Sequence, residues 1–204
     1  MPTVSRKTAS QLVEELYRGK RRKGIDKDAV EHLHDVVEFC FLDQERDNIR
    51  TMHLLNAALL HDVVEDFAQD GYTLEHVQAL IGLSTEETRL LDLLTRKKGQ
   101  EEKYLPGICA EEDAVRIKLA DRIANCRDLA AWVTKDRCFC EEARGIHEKY
   151  KRENAAILAM LHQHFAAELA DPSHVFSRQL KLLDRCMQEL ERFYAQYQGA
   201  ALEV

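Results

Sequence analysis

Glycine and proline are scarce in this chain, with 8 and 3 among 204 residues. Runs of β-branched residues are few as well, so long helices are favoured over sheets. No apolar stretch is long enough to cross a bilayer, and the N-terminus lacks the apolar core of a signal peptide. A Cys-x-x-Cys metal spacing is absent. The six cysteines stand apart at 40, 109, 126, 138, 140 and 186, which reads as reduced thiols in a cytoplasmic protein. An excess of positive charge is also missing. The net charge of −7 argues against a general nucleic-acid binder. Basic residues nevertheless cluster at Lys20-Arg21-Arg22-Lys23 and Arg96-Lys97-Lys98. Local cations on an acidic chain suit a small phosphorylated ligand better than a polymer.

The apolar run Leu54-Leu55-Asn56-Ala57-Ala58-Leu59-Leu60 leads into His61-Asp62-Val63-Val64-Glu65-Asp66. A helix so apolar on nearly every side must be buried. An imidazole and carboxylates at its end are costly to bury unless paired or bound to a metal. Helical spacing stacks His61 with Glu65 and Asp62 with Asp66, while Val63 and Val64 face the core. A second helical segment, residues 114–129, places Lys118, Asp121, Arg122 and Asn125 at i, i+3, i+4 and i+7. An acid flanked by cations, with a carboxamide one turn on, suits a metal ligand beside a phosphate site. The same pattern on its own also describes a salt-bridged solvent face.

A coarse map gives helices over about 8–18, from Asp26 to 42, 51–66, 73–81, 84–97, 101–108, 111–132, 137–170 and 175–197. Asp26 and Thr73 are expected as N-caps, and Ser84 with Glu87 as a capping box. The expected fold is all-α. One domain covers 1–170, and residues 171–204 form a C-terminal helix that packs on the domain or on a partner subunit of a homodimer.

Together, Ala58-Leu59-Leu60-His61-Asp62-Val63-Val64-Glu65-Asp66 and Lys118-Leu119-Ala120-Asp121-Arg122-Ile123-Ala124-Asn125-Cys126-Arg127-Asp128-Leu129 resemble the motifs of the HD phosphohydrolase superfamily. Within it they look most like the RelA/SpoT-type and small stand-alone (p)ppGpp hydrolases. Leu94-Thr95-Arg96-Lys97-Lys98-Gly99 and Tyr104-Leu105 resemble that family's connecting segment, and the likeness spans roughly residues 8 to 150. It implies an HD-domain helical bundle with added C-terminal helices. It further implies a manganese-dependent enzyme that removes the 3′-diphosphate of guanosine alarmones, giving GDP or GTP and pyrophosphate.

By the same resemblance the metal set is His32, His61, Asp62 and Asp121. His32 is preferred to His34 because it places Val36, Val37 and Cys40 at the family's apolar spacings, whereas His34 would put Glu38 in the core. Two nitrogens and two oxygens suit Mn, Fe, Co, Ni or Zn, and the resemblance implies manganese. Glu65 and Asp66 would orient a water or carry a proton. Arg21, Lys23, Lys97 and Lys118 would neutralise phosphate charge. Asn125 would bond the sugar or a phosphate, and Arg144 and Tyr150 would contact ribose or phosphate. Three places depart from the pattern: Leu33 stands where Pro usually follows the His, Ala29-Val30 where a Tyr is usual, and Phe67 where Thr often follows Glu-Asp. An HD-type 5′-nucleotidase or dNTP phosphohydrolase, and a ligand-sensing module without catalysis, are the other classes open.

Overall fold

The computed structural model describes residues 6–42, 49–136 and 140–200. Eleven α-helices run through them: α1 Ala9–Leu16, α2 Ala29–Phe41, α3 Ile49–Leu60, α4 Val63–Asp66, α5 Leu74–Ile81, α6 Thr85–Leu94, α7 Glu101–Cys109, α8 Glu112–Asp136, α9 Glu141–His164, α10 Ala166–Ala170 and α11 Val175–Ala200. No strand occurs among the described residues. One antiparallel bridge between Arg21 and Asp28 closes the basic segment between α1 and α2 into a small hairpin, secured by Arg22 N–H to Lys27 C=O and Ala29 N–H to Lys20 C=O.

Caps explain several helix starts. Thr8 with Gln11 and Ser84 with Glu87 form reciprocal capping boxes, and Thr73 accepts from His76 N–H. The cap of α2 is Asp28 rather than the expected Asp26. Asp28 makes no side-chain capping hydrogen bond, and both carboxylates pair with Arg21 instead. The helix expected over 51–66 is broken at His61 and Asp62, and the one expected over 137–170 is divided at Phe165. Residues 137–139, Cys138 among them, lie outside the described residues.

The core explains why α8 is central. Ala114, Ile117, Leu119, Ala120, Ile123 and Ala124 are all fully buried, so this helix is enclosed on more than one side. Leu33, Val36 and Phe41 of α2, Leu54 and Leu60 of α3, Leu90 and Leu91 of α6 and Phe176 of α11 complete the core. Fully burying each such side chain contributes about 1.5–3 kcal/mol. Gln179, itself fully buried, donates to Phe39 C=O at 3.0 Å and Arg116 C=O at 2.9 Å, pinning α11 to α2 and α8. No helix is long and apolar enough to cross a membrane among the described residues. The thiols of Cys40, Cys109, Cys126, Cys140 and Cys186 are free.

Candidate metal centre

α2, the end of α3 and α8 converge on three polar side chains that water hardly reaches. His32, His61 and Asp121 are 2%, 4% and 5% exposed. One ligand atom from each lies within 4.8 Å of the others. His34, two residues further along α2, points away and meets Glu14 with its side chain 50% exposed. On a 3.6-residue helix a step of two turns a side chain to nearly the opposite face. α2 packs against α8 with Leu33, Val36 and Val37 buried, and this docking turns His32 inward and His34 out.

The ring orientations are informative. His61 Nδ1 lies 2.8 Å from Ala58 C=O, a last-turn carbonyl that can only accept, so Nδ1 carries a proton. The break after Leu60 leaves such carbonyls free of helical partners. His61 Nε2 then faces Asp62 at 3.1 Å and Asp121 at 3.9 Å. For His32, Nε2 is 3.6 Å from Asp121 and Nδ1 is 3.4 Å from Asp128. Neither ring nitrogen of His32, nor His61 Nε2, has a hydrogen-bond partner among the described residues. Buried polar atoms are rarely left so. One orphaned nitrogen from each ring, beside the buried Asp121 carboxylate, makes a donor set that fits a divalent cation, and Asp62 stands at the partly exposed rim, 3.1 Å from His61 Nε2.

The charges of the cluster sit close enough to set one another's protonation. Burial alone would depress His61, but the Asp62 and Asp121 carboxylates outweigh it and push the imidazole up to about 9. Burial would raise Asp121, yet Lys118, His32, Arg122 and His61 hold it well below the usual carboxylate range. Lys118 Nζ sits 2.8 Å from Asp121, and the Asn125 amide donates to its other oxygen.

A pocket of about 400 Å³ opens beside these groups. Asp62, Asp66 and Asn125 line it together with Lys20, Arg21, Arg22 and Lys23 from the hairpin, and Leu129, Trp132, Ile146 and Tyr150 form an apolar wall. Gly24 has a positive φ of 77° and lies directly against the Trp132 ring, where a Cβ would collide. The tip of the hairpin is thereby seated on α8.

Other residues singled out in the sequence fall at several places. Glu65 accepts from Arg96 N–H at 2.5 Å, and Asp66 from the Tyr17 hydroxyl at 2.7 Å. Partial burial lifts Glu65 above the ordinary glutamate range, against the pull of the Arg96 amide. Arg21 and Lys23 reach the pocket edge, but they are paired with Asp26 and Asp28 and with Glu142. Tyr150 lines the pocket, its ring under the Arg122 guanidinium at 4.5 Å.

Three expected ligand contacts are not among the residues that line this pocket. Lys97 lies in a separate depression with Lys103 and Tyr104, held by Asp92 at 2.7 Å, because α6 already ends at Leu94 and the following loop turns outward. Arg144 is exposed on α9, two residues before Ile146 and hence on another face from Ile146 and Tyr150. Lys118 is spent on Asp121 inside the core.

Sequence reasoning left out Tyr17, Asp128 and a separate role for Arg22. Arg22 donates to Asn125 at 2.8 Å and Asp128 at 3.0 Å. Burial works against it, but the hydrogen-bonding neighbours of Asp128 hold its carboxyl down to about 2. Its position two turns after Asp121 on α8 was the available signal. The chain matches no known protein-family model, and no curated protein matches it.

Proposed function

We propose that this protein is a metal-dependent phosphohydrolase of the HD type, and that its substrate is a guanosine alarmone from which it removes the 3′-diphosphate. The observation that carries the reading is the buried group His32, His61 and Asp121, with nitrogens lacking partners, beside a cation-lined pocket of about 400 Å³. His32, His61, Asp62 and Asp121 would hold the ion, manganese by resemblance. A divalent ion supplies Lewis-acid chemistry toward a phosphoryl group.

The chain's own groups then have separable tasks. Arg22, steadied by Asn125 and Asp128, presents charge-assisted donors to phosphate oxygens, an interaction that also fixes geometry. Lys20 adds a cation at the same opening, and Arg21 and Lys23 would add theirs on leaving Asp26, Asp28 and Glu142 for a substrate with two diphosphates. Glu65 and Asp66 follow the metal residues by one turn, each tied to one outside donor. Glu65, with its raised carboxyl, suits proton transfer to or from an attacking water. The apolar wall of Leu129, Trp132, Ile146 and Tyr150 excludes water from one side and offers aromatic surface to a base.

The test is a comparison of kcat/KM for ppGpp, deoxynucleoside monophosphates and deoxynucleoside triphosphates with manganese present. Pyrophosphate released from ppGpp is expected. Inorganic phosphate from monophosphates, or triphosphate hydrolysis, with no action on ppGpp would move the protein to the nucleotidase branch. Glu65→Gln and Asp66→Asn should keep the metal and lower turnover by about 10²-fold or more, the scale for losing a positioned acid or base.

A further inference from the structure

Asp128 is a nearly buried carboxylate on α8 with three partners from three directions. Its Oδ1 accepts from Lys27 at 2.7 Å, and Lys27 is itself anchored by Asp35 at 2.6 Å. Its Oδ2 accepts from Arg22 Nε at 3.0 Å and faces His32 Nδ1 at 3.4 Å. Two cations from the hairpin thus fix the plane of the carboxylate and aim one oxygen at the ring. On its opposite side, His32 turns Nε2 toward Asp121.

His61 displays the same arrangement with a different acceptor. There the Ala58 carbonyl takes the Nδ1 proton, and Nε2 is left for the cluster. An imidazole ligates a metal through one nitrogen only when that nitrogen is unprotonated, so its other nitrogen must carry the proton and needs an acceptor. For His61 the main chain provides that acceptor. For His32 the side chain of Asp128 is the acceptor within reach.

We propose that Asp128 is the positioning residue of His32: by accepting the Nδ1 proton it selects the tautomer and ring orientation that present Nε2 to a divalent cation. The inference rests on the metal reading of the preceding subsection. It also assigns Lys27 and Arg22 a second consequence, since both hold the carboxylate that holds the ligand.

The experiment measures Mn²⁺ affinity of the full chain by competition against a chelator, for the unsubstituted protein, Asp128→Asn and Asp128→Ala, with thermal melts of each. Loss of an outer-sphere partner typically costs 10–100-fold in metal affinity. Asp128→Ala is expected to show about that loss, and Asp128→Asn, which retains an oxygen acceptor, a smaller one. A carboxylate that merely braces the hairpin would lower the melting temperature and leave Mn²⁺ affinity unchanged, and that result overturns the proposal while leaving the metal reading intact. If the unsubstituted chain binds no Mn²⁺, the metal reading fails, and this inference with it.

Should Asp128→Ala not fold, the ring nitrogens decide. Long-range proton–nitrogen spectra of the Zn²⁺-loaded chain, with His32 assigned by its disappearance in His32→Gln, should show the proton on Nδ1. A proton on Nε2 overturns the proposal.

Discussion

Asp121→Asn removes one negative charge from a place where four positive or protonatable groups meet. Arg122 keeps a partner, because Glu153 lies 2.5 Å from its guanidinium. Lys118 keeps no other ion pair among the described residues: it is 7% exposed, its ammonium is 2.8 Å from Asp121, the Tyr104 ring lies 5.6 Å away, and the Glu65 carboxyl feels its charge only at longer range. At 2.8 Å and an effective dielectric near 20, the attraction is worth about 6 kcal/mol. Removing one member of a buried pair costs about 3–5 kcal/mol, since the other charge remains without solvent. A domain of this size loses about 2–4 °C of melting temperature per kcal/mol. Asp121→Asn in chelator should therefore melt about 6–20 °C lower than the unsubstituted protein. Lys118→Met in the same background should restore much of the difference, because the stranded charge is then gone. Chemical denaturation of both single variants and the double variant gives the coupling directly. An Asp121→Asn variant within about 1 kcal/mol of the parent, or a double variant no more stable than Asp121→Asn, would falsify the reasoning that Lys118 depends on Asp121.

The two histidines of α2 offer a second test. His32→Ala should lose tight Mn²⁺ binding, while His34→Ala, altering an exposed side chain that meets Glu14 at 3.4 Å, should retain it; elemental analysis showing the reverse would dismiss the cluster. A third concerns acid. Buried Glu87 accepts from Asn56 at 2.6 Å and Ser84 N–H at 2.7 Å, and although burial opposes them these donors hold its carboxyl below the ordinary range. Its contribution is then present above the unfolded glutamate value of about 4.3 and is lost as pH falls through the lower folded value. Glu87→Gln should cost about 1–2 kcal/mol at neutral pH, a charge-assisted bond becoming an ordinary one. That gap should close in acid, and an equal gap at both pH values in urea melts would contradict the linkage.

Much of the helical architecture is legible locally. Scarce glycine and proline, the Ser84–Glu87 and Thr73 caps and the apolar spacing of residues 114–129 all act within a few residues of one another, and each appears in the structure. The positions of His61 and Asp121 share that character. An apolar run ending in His-Asp, and an acid between Lys118 and Asn125 at helical spacing, mark polar groups on buried helices whatever the helices pack against.

Other features depend on which faces meet. His32 and His34 sit on one helix; the spacing of Val36, Val37 and Cys40 already favours His32, and the docking of α2 on α8 is what buries that ring and leaves His34 exposed. Lys97 follows a helix that stops three residues before it, so its outward course is set by the path of the loop to α7. Tyr17 meets Asp66 across 49 positions of chain, and Arg22 meets Asn125 and Asp128 across 103 and 106. Helical periodicity assigns a residue to a face of its own helix, since backbone hydrogen bonds reach only four residues along the chain. Which faces then come together is decided by burial of apolar surface over the whole molecule, a non-directional force that leaves no pattern within a single helix.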